Sequence, residues 1–113
     1  MVYDKARELA KEIADSEEHA AYKQAKEKAM ANATTAALIK QYHQLQMQAQ
    51  AAVMAGKKDE EQLNQLQKLG ELLQLNADAS AYLIAEYRLN IMVGDVYKIL
   101  AEAIEADLSA LED

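Results

Sequence analysis

The chain contains no proline and only three glycines, Gly56, Gly70 and Gly94. Proline is the residue that most reliably ends a helix, and glycine weakens one. Little in the chain therefore opposes helix. The surplus of Ala, Leu, Gln, Glu and Lys adds to this, because these residues lose least conformational freedom on entering a helix. The length of 113 residues, 51% of them apolar, suits one folded domain spanning 1–113. An all-α fold is expected, as an elongated bundle of long, kinked antiparallel helices with helical hairpins.

Apolar residues recur every three or four positions along almost the whole chain. Val2, Ala6, Leu9, Ala10 and Ile13 predict a first amphipathic helix ending near Ala14. Asp15 and Ser16 interrupt it, and either can accept a backbone N–H as an N-cap. The spacing from Asp15 to Glu18 resembles a capping box, which starts a second helix near Glu17 that runs to about Ala31. Its buried side would be Tyr22, Ala25, Ala29 and Met30. The ANATT stretch at 31–35 favours caps and lowers helix propensity, so a kink or short break is expected there.

Beyond it Leu38, Ile39, Tyr42, Leu45, Ala49, Ala52 and Val53 restore the helical period to about Ala55. The tract HQLQMQAQ at 43–50 alternates like a strand, but it lacks β-branched residues and turn signals and is built of good helix formers. It reads as helix. Gly56 suits the position just past a helix end, Lys57 and Lys58 suit the negative pole of the dipole, and Asp59 with Gln62 resembles a new helix start. A connection this short makes its two helices antiparallel neighbours. Leu63, Leu66, Leu69, Leu72 and Leu73 form the next seam, ending near Leu75 or Asn76. Asn76 is expected to end that helix in a left-handed conformation, with Asn76 or Asp78 capping the following one.

The last pattern, from about Asp78 to Leu108, is the longest. Tyr82, Ala85, Leu89, Met92, Val96, Ile99 and Ala103 follow a near-heptad spacing, and Leu83, Ile84, Ile91, Val93, Leu100 and Ile104 widen the stripe. One face cannot bury them all. A helix of that length is about 45 Å long at ~1.5 Å per residue, so much of the stripe would lie in water unless another molecule covered it. The expected remedy is a homo-oligomer, a dimer or dimer of dimers, whose contact uses Tyr82, Leu89, Met92, Val96 and Ile99.

Several chemistries are excluded or unsupported. The absence of cysteine removes disulfides, thiolate metal sites and a cysteine nucleophile. His19 and His43 lack the partners of helical metal motifs: the positions three before them are Ser16 and Lys40, and those four after are Lys23 and Met47. No metal or cofactor is expected. Glu17, Glu18, Glu60 and Glu61 suit first helical turns. Glu86, Arg88 and Asp95 lie among apolar residues, where structural ion pairing competes with a site assembled between subunits. No catalytic residue is assigned. The N-terminal MVYDKARELAKEIAD carries acids and lacks the apolar core of a signal peptide, and no run reaches the roughly 20 apolar residues of a membrane span. A cytoplasmic protein is expected.

Net charge is −7 but unevenly placed. Residues 1–58 carry nine Lys or Arg against seven Asp or Glu, whereas residues 59–113 carry three against twelve. Lys23, Lys26, Lys28, Lys40, Lys57 and Lys58 make the middle basic, which leaves RNA contact as an alternative role. The overall charge and the lack of a stacking platform argue against nucleic acid.

The segment LLQLNADASAYLIAEYRLNIMVGDVYKILAEAI at 72–104 resembles the C-terminal signature of the YlbF/YmcA family of small bacterial helical proteins, especially its YheA-like members. The matching residues are Leu75, Asn76, Tyr82, Glu86, Leu89, Asn90, Asp95, Val96 and Ile99. SEEHAAYKQAKE at 16–27 and ALIKQYHQLQMQAQ at 37–50 are similar to the family as well. The resemblance implies a long-helix fold that associates as dimers or higher oligomers, and a role without known catalysis. Better-known members act in complexes that influence competence, sporulation and biofilm development and are linked to RNA processing through a membrane-associated ribonuclease. Some carry iron–sulfur clusters on cysteines, a property a chain without cysteine does not share. ANATT also lacks the proline that often starts the corresponding helix, and the family supplies no catalytic residues to carry over. The function expected is a non-enzymatic interaction protein, an adaptor or regulatory subunit with a possible heterologous protein partner. The alternatives are RNA association and an inter-subunit enzyme site.

Overall fold

A computed structural model describes residues 1–105. Five α-helices follow one another: α1 Val2–Ala14, α2 Glu17–Met30, α3 Ala33–Met54, α4 Glu60–Gln74 and α5 Ala77–Ile104. No strand occurs among the described residues, and HQLQMQAQ lies inside α3. The fold is all-α.

Each helix junction is held by a short polar device. Between α1 and α2 the cap is Ser16 rather than Asp15: its Oγ accepts from His19 N at 3.1 Å and donates to Ile13 O at 2.6 Å. The expected Asp15–Glu18 box gives way because Asp15 ends α1, its own N–H bonding back to Lys11 O. His19 Nδ1 lies 2.9 Å from Ala14 O, tying the first turn of α2 to the last carbonyl of α1. The break in ANATT falls at Asn32, whose Oδ1 accepts from Thr35 N at 3.0 Å. The α3–α4 turn has Gly56 at φ 73°. Gly56 N bonds Val53 O at 3.0 Å and Lys57 N bonds Ala52 O at 2.8 Å, the paired bonds of a Schellman end. Asp59 Oδ1 then accepts from Glu61 N and Gln62 N.

Asn76 departs from expectation. Among the described residues only Gly56 and Glu105 have positive φ, so Asn76 ends α4 without a left-handed turn. Of the two residues expected to cap α5, Asn76 is the one that does, its Oδ1 accepting from Ala79 N at 3.0 Å. α5 ends at Ile104, where Glu105 has φ 52°; the expected continuation to Leu108 runs beyond the described residues.

The chain divides into two compact units, one from Gln24 to Tyr82 and the other combining Met1–Lys23 with the chain from Leu83 onward. In the Gln24–Tyr82 unit α3 and α4 pack against each other. Three cross-links define their register: Thr35 with Asn76, Tyr42 with Gly70, and Gln48 with Gln62. Position rises on α3 as it falls on α4, so the hairpin is antiparallel as the short turn requires. A Cβ at Gly70 would sit 3.4 Å from Tyr42 Cε1, at ordinary contact distance, so the tyrosine ring lies directly over this point of α4. Ala29, Ile39, Leu73 and Ala79 are fully buried in this unit, with Thr35, Ala49 and Tyr82 close behind. Val53 and Leu72, expected on buried faces of α3 and α4, are 58 and 51% exposed because the hairpin covers only the central line of each helix, and Met30 at the end of α2 is 38% exposed.

In the other unit α1 buries no residue. Its Lys5–Glu8 and Asp4–Arg7 pairs are exposed i,i+3 contacts at 3.5 and 3.4 Å, of a kind that adds little to stability.

Candidate protein-interaction surface

The two histidines serve local packing. His19 lies against the end of α1, as above, and His43 meets Tyr82 edge-on, ring centroids 6.1 Å apart. Among the described residues no group of three or more His, Asp or Glu is placed to hold a metal. Glu86, Arg88 and Asp95 do not converge. At about 100° per residue, Arg88 and Asp95 share one side of α5 while Glu86 lies roughly opposite, so one copy cannot assemble them into a site. Lys23, Lys26, Lys28, Lys40, Lys57 and Lys58 are exposed.

Apolar surface in water is the more informative feature. Of the residues named for assembly, Tyr82 is 3% exposed and so is already covered by its own chain. Leu89, Met92 and Val96 are half-buried, and Ile99 is 64% exposed. Leu89, Met92, Val96 and Ile99 follow i, i+3, i+7 and i+10 spacing and form one continuous row. Completing the burial of such a row is worth about 4 kcal/mol per copy, from the ~1.5–3 kcal/mol that fully burying each side chain yields.

In the same unit, beside the Ile99 end of that row, Met1, Val2, Lys5, Ala6, Leu9 and Leu100 line an open groove of about 600 Å³. Its walls are apolar except for Lys5. Ile84, Tyr87 and Ile91 form a further exposed set on α5, at 50, 66 and 47%. Tyr87 drew no attention in the sequence because the heptad line passes through its neighbours. The mid-helix Gly94 was the signal that could have marked that side of the helix.

A family model described as "Control of competence regulator ComK, YlbF/YmcA" matches residues 2–105. The chain belongs to the YlbF/YmcA family. Among its relatives, a UPF0342 protein of Symbiobacterium thermophilum is 37% identical over 108 residues, covering 95% of this chain and 96% of the relative. A UPF0342 protein of Halothermothrix orenii is 33% identical over 112 residues, 98% of this chain and 95% of the relative. These matches agree with the resemblance to YheA-like members. Among solved structures, Bacillus subtilis RicA, determined in complex with RicF, superposes with a TM-score of 0.59 at 19% identity, over 92% of this chain and 93% of that one. That likeness establishes a shared fold. The family is described as regulatory, and no helix among the described residues is long and apolar enough to cross a membrane.

Proposed function

We propose that this YlbF/YmcA member is a non-enzymatic, homo-oligomeric adaptor or regulatory subunit that works in the cytoplasm by binding other proteins. The observation that carries the reading is the row Leu89, Met92, Val96 and Ile99, left partly in water on the longest helix. Two copies meeting across the row would each contribute about 4 kcal/mol of apolar burial, comparable to the lower estimates of the cost of association. A heterologous partner is supported by the complex in which RicA was solved with RicF. The scattered placement of Glu86, Arg88 and Asp95 favours binding over chemistry.

Light scattering coupled to size exclusion tests the self-association. The wild-type chain at micromolar concentration should elute with a dimer or larger mass, and Leu89→Asp should reduce it to a monomer with its helical circular dichroism intact. A monomer mass for the wild type would overturn the homo-oligomer.

A further inference from the structure

α1 is amphipathic, but its apolar side is left in water. Val2, Ala6 and Leu9 follow i, i+4 and i+7 spacing, yet α1 buries no residue. With Met1, Lys5 and Leu100 they line the open groove, where Val2 is 81% and Leu100 48% exposed. Among the described residues that line it, Lys5 alone is charged. Its contact with Glu8 is exposed and 3.5 Å long, so a carboxylate entering the groove can compete for the ammonium at little cost.

The end of α5 indicates what fills the groove. Leu100 and Ile104 continue in the sequence as Leu108 and Leu111, a spacing that would hold all four on one side of an unbroken helix. Glu105 breaks it, with φ 52°. Helices that end in the left-handed conformation generally place glycine there, because a side chain is strained by it. Here a glutamate takes the position, and its N–H bonds Glu102 O at a long 3.4 Å. That bond is a weak offset to the strain, which leaves contacts of the chain beyond the turn to supply the rest. The eight residues that follow, ADLSALED at 106–113, carry two leucines and three acids, the complement of an apolar groove with one lysine. They are also long enough. Leu100 stands five residues before Glu105, about 7.5 Å along the axis at ~1.5 Å per residue, whereas extended chain carries Leu108 and Leu111 up to roughly 10 and 20 Å from Glu105. Leu108 can therefore return to the level of Leu100, and Leu111 can cross the ~8–10 Å between packed helices to α1.

We propose that residues 106–113 turn back at Glu105 and occupy this groove of their own chain, with Leu108 and Leu111 between Leu100 and the Val2, Ala6 and Leu9 side of α1, and an acid of the segment on Lys5. The groove adjoins the Ile99 end of the Leu89 row. The segment is thus an autoinhibitory strap, and an apolar segment of another protein must displace it to reach this surface. The contact is made within one chain and does not rest on self-association.

Full-length chains carrying two cysteines provide the test, since the sequence has none of its own. Under mild oxidation Ala6→Cys/Leu111→Cys should close a disulfide within one chain about tenfold faster than Arg7→Cys/Leu111→Cys, because a seated segment has a high effective concentration and Arg7 stands roughly 160° around the helix from Leu9. A disulfide formed only between chains would give the groove to a second copy, and equal rates for the two pairs would leave it unfilled by the segment; either overturns the proposal. The dye ANS, which binds exposed apolar surface, reads the groove itself. Leu108→Asp/Leu111→Asp should raise its fluorescence several-fold with helical circular dichroism unchanged, and adding Val2→Asp should remove most of the gain. Unchanged fluorescence in Leu108→Asp/Leu111→Asp, or a gain that survives Val2→Asp, would overturn the proposal. A monomer mass for the wild type, which would refute the homo-oligomer, leaves this contact standing.

Discussion

Asn76 is the residue whose substitution tests the fold most directly. Its Oδ1 accepts from Ala79 N at 3.0 Å and its Nδ2 donates to Thr35 Oγ1 at 3.0 Å. One side chain therefore caps α5 and grips the start of α3, 41 positions away. Losing a cap of this kind costs about 1 kcal/mol, and losing the bond to the nearly buried Thr35 about 1 kcal/mol more. Asn76→Ala should thus destabilise by about 2 kcal/mol. Asn76→Ser keeps a capping oxygen but is too short to reach Thr35, so it should cost about half as much. Thr35→Val removes the bond from the other side at nearly constant volume. In urea unfolding followed by circular dichroism at one fixed chain concentration, Asn76→Ala should move the midpoint down by roughly 1.5 M for a chain of this size. The double variant Asn76→Ala/Thr35→Val should show a coupling of about 1 kcal/mol. A coupling within about 0.3 kcal/mol of zero, or equal losses for Asn76→Ala and Asn76→Ser, would refute the two-handed role of Asn76.

Ile39→Ala and Ile99→Ala should separate folding from assembly: the first, at a fully buried site, should lower stability by about 2–5 kcal/mol, and the second, 64% exposed, should change stability by less than about 0.5 kcal/mol while weakening self-association by light scattering. Gly56→Ala, at φ 73°, should cost about 1 kcal/mol in the same urea assay because the left-handed turn excludes a Cβ.

Helix existence and most junctions were legible because their signals are local. Gly56, Asp59 and Asn32 act within four residues of their own positions, and the structure places each where the spacing requires. Asp15 and Ser16 could not be separated by sequence, since either oxygen can cap; the bond from Asp15 N to Lys11 O assigns Asp15 to the preceding helix. What stayed illegible depends on residues distant in sequence. Nothing near Thr35 announces Asn76, and nothing near Gly70 announces the ring of Tyr42. The exposure of Met30, Val53 and Leu72 was likewise hidden, because periodicity marks the apolar side of a helix without telling how wide a neighbour covers it.

The same limit applies to α5, where the heptad line drew attention to Tyr82 and Leu89 and away from Tyr87. Yet the sequence of that other side has definite edges. The line through Ile84 and Ile91 continues as Asp95, Lys98 and Glu102, so charge replaces apolar surface about one turn beyond Ile91. A helix meant for permanent burial would stay apolar along its length, and a solvent-facing helix would be charged throughout. An apolar patch of two turns closed by charges fits neither description; it suits a contact of limited area. Limited area keeps such contacts reversible, and reversibility lets a regulatory protein respond to its own concentration and to that of its partners by mass action.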